Sequence, residues 1–476
     1  METRKEKSSI NRHKTSAEIL FQPITQTSKL YFIFVAFLSL LILLAALAYF
    51  WQLSQGLAVT GMRDRVSWSF YVTNFVFFIG ISHAGTFISA VLRASDASWR
   101  HSVTRLAELM TAFGLLIGAS MVLIDLGRIE RAFNILPFVG MGRIQAPILW
   151  DFFAIAIYLT GSTMYLYLCL IPDFALLRDR LGDNSFFLKR WIWTILALGW
   201  EGSEEQEKWL RRGIGIMAWI LIPVMISVHT VVSFAVGGVM LRPGWSSTVY
   251  GPYFVVGALY SGIAALVVIM AIFRKVYPEM EALITPRQFR NLGIILLVLV
   301  LGYGYFTFSE YMNIVYSSPK DEFELVEALF VGKFALLFWV GIIASIVIPG
   351  IIIAATRARS IRGLVIACLF ISFGMWLKRF IIVVPSMSRP WIAGPFAAYN
   401  PTLIEWMIII GSFAALALGF TLSVKFFPMA PLWEIIEEEE IMAKLREAGI
   451  VPPRSFVDYT FPMKKEDVQS EKSILT

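Results

Sequence analysis

Residues 67–93, SWSFYVTNFVFFIGISHAGTFISAVLR, are apolar enough to cross a lipid bilayer, yet Asn74 and His83 lie in their middle. A transmembrane helix needs about 20 predominantly apolar residues. Because hydrocarbon disfavours polar groups, such residues usually face the interior of a helix bundle and mark a site or a pathway. The stretch therefore predicts a membrane protein whose helices pack around buried polar side chains.

The composition of the whole chain agrees with this prediction. Of 476 residues, 57% are hydrophobic and 16% are charged, whereas ordinary soluble domains are about 25% charged. Apolar runs recur along the chain without the alternation of a β-strand, which predicts an all-α polytopic membrane protein. We predict ten transmembrane helices, at residues 30–52, 67–93, 104–125, 147–170, 213–240, 252–273, 291–316, 325–355, 361–386 and 402–427.

Basic residues predict the orientation. Lys and Arg are concentrated in residues 1–29, in alternate loops and in the C-terminal segment, and such residues stay on the cytoplasmic side. We therefore expect a multi-pass protein of the bacterial inner membrane with a cytoplasmic tail at 1–29, a ten-helix domain at 30–428 and a cytoplasmic tail at 429–476. Membrane topology accounts for the net charge of +7, so no nucleic-acid partner is implied. RWIWTILALGW (190–200) is expected to be an interfacial helix, and WEIIEEEEIMAKLREAG (433–449) a charged helix.

A weak internal repeat suggests how the spans are grouped. GISHAGTFISA (80–90) resembles GALYSGIAALV (257–267), with two glycines in register and Tyr260 in the place of His83. Four spans separate the two segments, so the repeated units would be parallel bundles at about 67–240 and 252–386. Glycines at this spacing also occur in ordinary helix packing, which is the alternative interpretation.

Ionisable residues within or at the ends of spans predict a polar cluster in the outer half of the membrane. The predicted topology brings together, from seven spans, Asp125, Arg128, Asp151, His229, Glu310, Tyr311, Lys333, Lys378, Arg379 and Glu405. Tyr303 and Tyr305 are expected to line the same path. The alternative is a set of helix-end charges that pair with one another or reach water.

His83 is predicted to lie apart from this cluster. At about 1.5 Å per residue, His83 is about 15 Å from the cytoplasmic end of its span and His229 about 25 Å from the same end. A haem held by two histidines needs both at one depth, so a difference of about 10 Å argues against haem. The two cysteines lie in separate apolar runs without a CxxC motif, so we expect no metal site or iron–sulfur cluster in this chain. His83 could relay protons towards the cytoplasm, or it could be a packed histidine.

The loop between the fifth and sixth spans suggests the ligand. It contains Trp245, Tyr250 and Tyr253, which are expected to form an aromatic rim at the outer interface. An apolar mouth above acid and base groups suits a lipid-soluble ligand with a polar head, such as a quinone. Quinol oxidation releases two protons with two electrons, so it needs a carboxylate or a histidine beside the hydroxyl groups.

Several motifs together resemble those of the NrfD/PsrC family. They are GISHAGTFISAVLR, Asp-Leu-Gly-Arg at 125–128, PILWD at 147–151, SVHTVVS at 227–233, RPGW with GPYFVVGALYSG, and GMWLKRFIIVVPS. The resemblance is greatest to the ten-helix members related to the membrane subunits of alternative complex III. It implies two four-helix bundles plus two peripheral helices. It also implies an outward-facing menaquinone or ubiquinone pocket without haem or metal, an iron–sulfur partner subunit (in some complexes a molybdopterin enzyme), further membrane subunits such as a paralogous chain, and in some members proton translocation.

The sequence departs from the alternative complex III pattern at four positions: Asp125, Ala235, Ser246 and Lys378. Another branch of the family, an altered quinone site and a subunit that no longer turns over quinol are three interpretations of these departures.

Three hypotheses follow. The first is a quinone-reactive subunit of an electron-transfer complex, rather than a stand-alone enzyme. In it Asp125, Asp151, His229 and Glu310 handle protons, and the proton pathway has His83, Tyr303, Tyr305 and Lys333. The quinone is then bound by Arg128, Trp245, Tyr253, Lys378 and Arg379. The second hypothesis is a secondary transporter, which predicts broken helices in inverted repeats. The third is a structural anchor that keeps a relic pocket.

Overall fold

The computed structural model describes residues 16–97, 99–134, 137, 146–182, 186–235, 242–245, 247–317, 320–356, 360–390 and 394–447. In these ranges the regular secondary structure is helical and no strand occurs. The helices are α1 (Ser16–Thr25), α2 (Lys29–Gln55), α3 (Phe70–Ala94), α4 (His101–Asp125), α5 (Pro147–Leu181), α6 (Phe187–Leu196), α7 (Glu204–Phe234), α8 (Tyr250–Val276), α9 (Pro286–Ser317), α10 (Lys320–Phe330), α11 (Ala335–Thr356), α12 (Ile361–Ser388), α13 (Leu403–Ser423) and α14 (Leu432–Glu447).

Ten of these helices are long and apolar enough to cross a membrane, which confirms the predicted number. They are α2, α3, α4, α5, α7, α8, α9, α11, α12 and α13. Because consecutive spans alternate in direction, the bundle has two faces. We call the face that carries Lys29, the start of α2, and Ser423, the end of α13, the tail face; the opposite face is the far face. The tail face is the predicted cytoplasmic side.

The eight spans from α3 to α12 pack in two groups that follow the order of the chain, and the first and last spans pack on each other. α3, α4, α5 and α7 pack on one another, as do α8, α9, α11 and α12, while α2 pairs with α13. The two groups meet where α3 crosses α8. At this crossing a Cβ on Gly262 would lie 2.2 Å from the Cβ of Ala84, so only glycine lets the backbones approach this closely. The two repeated segments are therefore in contact. The predicted domain boundaries themselves stay a prediction.

The predicted eighth span is not continuous, which corrects the prediction of one helix over 325–355. α10 ends at Phe330, and a turn separates it from α11. Gly332 closes this turn: its N–H donates to the carbonyl of Glu327 at 3.0 Å. A Cβ at Gly332 would lie 2.8 Å from the backbone of Ala328. Within α11, Ile343–Val347 form a π-helical turn.

Several spans run further towards the tail face than predicted. α7 begins at Glu204 because Ser203 caps it, accepting a hydrogen bond from the N–H of Gln206 at 3.3 Å. α5 continues to Leu181 and α9 begins at Pro286. The segments expected to form an interfacial helix and a C-terminal helix are helical, as α6 and α14.

Candidate functional site

Two histidines meet inside the bundle. The side chains of His83 on α3 and His229 on α7 are both 0% exposed, and their ring centroids are 4.8 Å apart at an interplanar angle of 61°. The predicted separation of about 10 Å in depth is therefore wrong, and it no longer argues against haem. The error arose because α7 starts well before Arg212, whereas Arg93 lies in the last turn of α3. Arg93 and Arg212 therefore lie at different depths in the bundle, so distances counted from them cannot be compared.

The hydrogen bonds of the pair leave basic nitrogens without partners. Nδ1 of His83 lies 2.5 Å from the carbonyl oxygen of Ile79. Since a carbonyl only accepts, Nδ1 carries the proton and Nε2 of His83 is the basic nitrogen. In the described part of the chain, that Nε2 has no hydrogen-bond partner. The ring nitrogens of His229 make no hydrogen bond of full geometry either, although the backbone of Phe254 lies close to the ring. Buried polar groups are nearly always paired, so unpaired ones point to a proton, a water or a ligand that binds there.

Two aromatic rings fix the positions of the histidines. The ring of Tyr158 on α5 stacks on His83 at a centroid distance of 4.3 Å and an angle of 3°. On the other side, Phe254 on α8 lies 6.0 Å from the ring of His229. Side chains from α3, α5, α7 and α8 therefore build this site, which joins the two groups of helices.

An arginine continues the site towards the second group of helices. The guanidinium carbon of Arg379 lies 4.9 Å from the ring centre of Phe254, a cation–π distance. Within the described ranges its Nη2 has no hydrogen-bond partner. A Cβ on Gly257 would lie 3.2 Å from this Nη2 and 3.3 Å from the ring of Tyr303. The glycine thus makes room for the two side chains predicted to act in binding and proton transfer.

An acid–lysine cluster lies nearer the far face. Glu310 on α9 accepts a hydrogen bond from Ser247 at 2.6 Å. Lys378 on α12 donates to the hydroxyl of Tyr311 at 2.9 Å, and its charge acts on Glu310. The acid, the lysine and the phenol border one small cavity, which Tyr253 also lines. Its remaining wall is mostly apolar and comes largely from α10 and α12, with Leu325, Val326, Leu329, Ile381 and Ile382.

A row of tyrosines extends from the cavity into the bundle. The hydroxyl of Tyr253 lies 2.8 Å from Oγ1 of Thr307 and donates to the hydroxyl of Tyr303 at 3.4 Å. Tyr303 stacks on Tyr260 at 5.6 Å, and the hydroxyl of Tyr260 donates to the carbonyl of Ser345 at 2.7 Å. The hydrogen bonds therefore reach from the cavity to Tyr303, and ring stacking continues the row to Tyr260.

The expected aromatic rim at the outer interface is instead buried. Trp245, Tyr250 and Tyr253 are each at most 3% exposed. The indole N–H of Trp245 donates to the carbonyl of Ile382 at 2.8 Å, and its ring stacks on Trp68 at 6.3 Å. Trp245 therefore holds the loop against α12, while Tyr253 reaches the cavity.

Asp125 and Asp151, which were predicted to handle protons, also lie at the far face but outside this cavity. Asp125 ends α4 and Asp151 lies in the first turns of α5, and one oxygen of each lacks a described partner. Among the residues that the structure describes, no hydrogen bond or ion pair joins either of them to Glu310 or Lys378. Glu405 nearby is fully engaged, since it accepts from the N–H of Gly61, from Thr402 and from Tyr399.

Three further predicted residues are not brought into the site. Arg128 is exposed just beyond α4. Tyr305 is 67% exposed on the outside of α9, and Lys333 is exposed and donates to the carbonyl of Ala397 at 3.2 Å. Of the departures from the family pattern, Ser246 lies outside the described residues.

A buried charged network at the tail face was not predicted from the sequence. It connects the ends of α3 and α4 with α5 and the C-terminal helix α14. Glu434 forms ion pairs with Arg93 at 2.8 Å and Arg100 at 2.9 Å, and its carboxylate also lies 2.9 Å from Nε2 of His101. The described residues therefore contain a second group of buried ionisable side chains besides the cluster predicted in the outer half.

The same network contains a fully buried ion pair and a buried glutamate. Arg105 on α4 donates to Asp173 on α5 at 2.6 Å, and Asp173 also accepts from the N–H of Trp433 at 3.1 Å. Glu108, 4% exposed, accepts from Ser89 at 2.7 Å. A signal for this network existed, because Arg105 and Glu108 fall inside the predicted span 104–125. At the very start of that span, however, Arg105 is equally expected as a loop charge.

The charges around Glu434 control its ionisation. Burial acts to raise its pKa, but Arg93, the hydrogen bond from His101 and Arg100 together hold the pKa of this carboxyl well below its usual range. Glu434 is therefore ionised, and it ties α14 to the ends of α3 and α4.

The chain is similar to a known protein family and to several known proteins. The model of the family described as "Polysulphide reductase, NrfD" matches residues 58–390. The chain is 24% identical over 423 residues to a selenate reductase subunit of Mesobacillus selenatarsenatis, covering 84% of this chain and 94% of that protein. It is 23% identical over 429 residues to the Hdr-like menaquinol oxidoreductase integral membrane subunit of Archaeoglobus fulgidus, covering 85% and 97%.

A third relative matches over a shorter length. A putative dimethyl sulfoxide reductase membrane subunit of Halobacterium salinarum is 27% identical over 232 residues, 49% of each chain. With ten apolar helices and relatives that are subunits of oxidoreductases, the chain is a multi-pass membrane subunit of an oxidoreductase complex.

Proposed function

Because the chain belongs to the polysulphide reductase NrfD family, we propose that it is the quinone-reactive subunit of its oxidoreductase complex. One relative along nearly its whole length is named as an integral membrane subunit of a menaquinol oxidoreductase. The observation that carries the proposal is the cavity in which Glu310, Lys378 and Tyr311 meet between apolar walls. Charged groups around an otherwise apolar cavity suit a lipid-soluble ligand with a polar head.

The head group would bind between the acid and the lysine. A quinol that is oxidised to the quinone releases two protons and two electrons. Glu310 is placed to accept a proton from one hydroxyl, as a general base does. The second hydroxyl is placed to give its proton to the hydroxyl chain that begins at Tyr253, which lines the cavity and pairs with Thr307. Lys378 and Tyr311 then donate hydrogen bonds to the oxygen that remains. The two electrons would pass to a partner subunit on the far face, where an iron–sulfur cluster would supply the acceptor. Reduction of a quinone reverses these steps.

The cover of the cavity is α10. Leu325 lies so close to the loop that a Cβ on Gly244 would be 2.5 Å from its Cδ2. In this structure the cavity is small, so a quinone head must displace such apolar side chains. α10 is joined to α11 only by the turn at Gly332, which makes it the element we expect to move.

We further propose a proton path from the histidine pair to the tail face. The hydroxyl of Tyr158 lies beside Thr86 and Ser162, and Thr86 donates to Ser162 at 3.2 Å. One to two turns along the same face of α3 lie Ser89 and Arg93. A path of buried hydroxyl and carboxyl groups suits proton transfer, because a hydroxyl both donates and accepts and a carboxyl group can bind and release a proton.

The last part of this path is continuous. Ser89 donates to Glu108 at 2.7 Å and to the hydroxyl of Tyr165 at 3.4 Å. Arg93 donates to that hydroxyl at 3.2 Å and to Glu434 at 2.8 Å. A guanidinium has no acceptor, so Arg93 orients Tyr165 and Glu434, and the path itself ends at Glu108 and Tyr165, near the predicted cytoplasmic side.

The alternatives make different predictions. A transporter of the kind considered above needs inverted repeats, whereas α3 and α8, which contain the repeated segments, both run from the far face to the tail face. A structural anchor with a relic pocket would retain the complex but bind no quinone.

The test has two measurements. Turnover is measured with the native complex in membranes and menadiol as the electron donor, and the purified complex is assayed for bound quinone. We expect Glu310→Gln to lower menadiol-dependent turnover by at least about 100-fold, because general bases contribute that much. Lys378→Met should raise the KM for menadiol. Tyr305→Phe, on the outside of α9, is the matched control and should behave as the wild type.

Normal turnover in an intact Glu310→Gln complex would exclude this site. A wild-type complex that contains no quinone and is inactive with menadiol would support the relic anchor instead.

A further inference from the structure

A large groove at the tail face is separate from both polar sites. Its volume is about 790 Å³, and its walls are α1, the start of α2, the end of α8 and α13. Large apolar side chains border it and stay exposed, among them Leu30 at 72% and Ile272 at 53%. The groove is therefore open along its side, where a bilayer surrounds the protein.

The polarity of the groove changes along the bundle axis. At the tail face it is bordered by Gln22, Gln26 and Lys425, and deeper in the membrane by Phe34 and Phe413. From Lys425 to Phe413 the groove follows α13 for about 18 Å, at about 1.5 Å per residue. A phospholipid has the same gradient, with a polar head at the interface and acyl chains that point to the membrane centre.

The charge at the polar end is positive. Lys425 is the one charged residue among those that line the groove. Lys189 of α6 lies beside it and donates to its carbonyl at 3.2 Å. Lys29 and Lys275 are exposed at the neighbouring ends of α2 and α8. Each such lysine near a membrane surface strengthens the attraction to anionic lipid.

Lys425 also keeps a free donor. Its ammonium group donates to the carbonyls of Pro23 at 2.5 Å and Gln26 at 2.6 Å, and it lies 4.9 Å from the ring centre of Tyr31. An ammonium group has three N–H donors, so one remains for a phosphate oxygen. The α1 helix is thereby held at the edge of the groove, next to the site of the head group.

We infer that this groove binds one phospholipid with an anionic head group from the leaflet at the tail face. Lys425 and Lys189 hold the phosphate, and an acyl chain lies between α2, α8 and α13. The bound lipid fills the space between the peripheral pair α2–α13 and the central helix α8.

The test places the native complex in nanodiscs of phosphatidylglycerol and phosphatidylcholine in equal amounts and counts retained lipids by native mass spectrometry. The wild type should retain phosphatidylglycerol in preference to phosphatidylcholine. Ala417→Trp, which fills the groove from α13, should lower the retention about tenfold through the steric cost of overpacking. Ile272→Trp fills the groove from α8 and should do the same if Ala417→Trp fails to fold.

The controls separate shape from charge. Ile294→Trp puts the same side chain on a 47% exposed position of α9 and should retain lipid as the wild type does. Lys189→Gln should keep a lipid but lose several-fold of the preference for phosphatidylglycerol. Equal retention in Ala417→Trp and Ile294→Trp would overturn the inference. It would also be overturned by equal retention of the two lipids in the wild type, or by a quinone in place of the lipid.

Discussion

The imidazole rings of His83 and His229 touch edge to face, 4.8 Å between centroids, at the junction of the two groups of helices. His83 belongs to the helix that leads to the tail-face network, and His229 lies beside Phe254 and, through it, Arg379. The two rings thus connect the proposed proton path with Phe254 and Arg379. We therefore expect a substitution of either histidine to affect the other ring.

His83→Phe and His229→Phe test this junction. Phe keeps a ring of similar size but carries no proton, so we expect bound quinone to persist and linked proton release to slow at least about tenfold. Because the two rings act in series, the double variant should be no slower than the slower single variant. A pH-sensitive dye in proteoliposomes of the complex measures the release. Loss of bound quinone in His83→Phe would place the pair in the quinone site itself.

Gly257→Ala tests the contact between α8 and Arg379. The added methyl group would lie 3.2 Å from the guanidinium Nη2 and 3.3 Å from the ring of Tyr303, so both must shift. We expect lower menadiol-dependent turnover with little loss of stability. Gly350→Ala is the matched control, because its Cβ would meet nothing within 4 Å and Ala stabilises a helix interior by about 1 kcal/mol. Equal turnover in the two variants would contradict a role for this contact.

Arg105→Met tests the buried ion pair. Removing one partner leaves the carboxylate of Asp173 buried without its cation, which costs about 3–5 kcal/mol. The double variant Arg105→Met/Asp173→Asn leaves no buried charge, so we expect it to recover part of the loss. Thermal unfolding of the purified complex in detergent compares the variants. If Arg105→Met unfolds at the wild-type temperature, the pair is not as buried as the structure shows.

The docking of α14 should depend on pH through Glu434. The pKa of this carboxyl in the folded protein is well below its usual value of about 4.3. Its contribution is therefore complete above that usual value and is lost only as the pH falls through the lower folded-state pKa. Hydrogen exchange in α14 should stay slow down to about pH 4 and become faster below it.

Two variants check the assignment to Glu434. Glu434→Gln should speed exchange in α14 at neutral pH and remove the acid transition. Glu437→Gln alters a half-exposed carboxylate that pairs with Arg211, and such surface pairs contribute about 0–1 kcal/mol. It should therefore leave the exchange of α14 almost unchanged. An acid transition that persists in Glu434→Gln would assign it to another group.

The sequence by itself determined that the chain is a bundle of ten membrane helices, because the transfer of a 20-residue segment into hydrocarbon is a sum over its own residues. It also identified Gly262 in a repeat that proves to be a helix contact, and it pointed to Glu310, Lys378 and Arg379. Only the tertiary structure decided which polar groups meet. It paired His83 with His229, placed Glu108 beside Ser89, turned Tyr305 outwards and broke the eighth span at Gly332. The rotation and the tilt of each helix fix these contacts, and both are set by packing against side chains that are distant in the chain. Hydropathy along one segment carries no information about them.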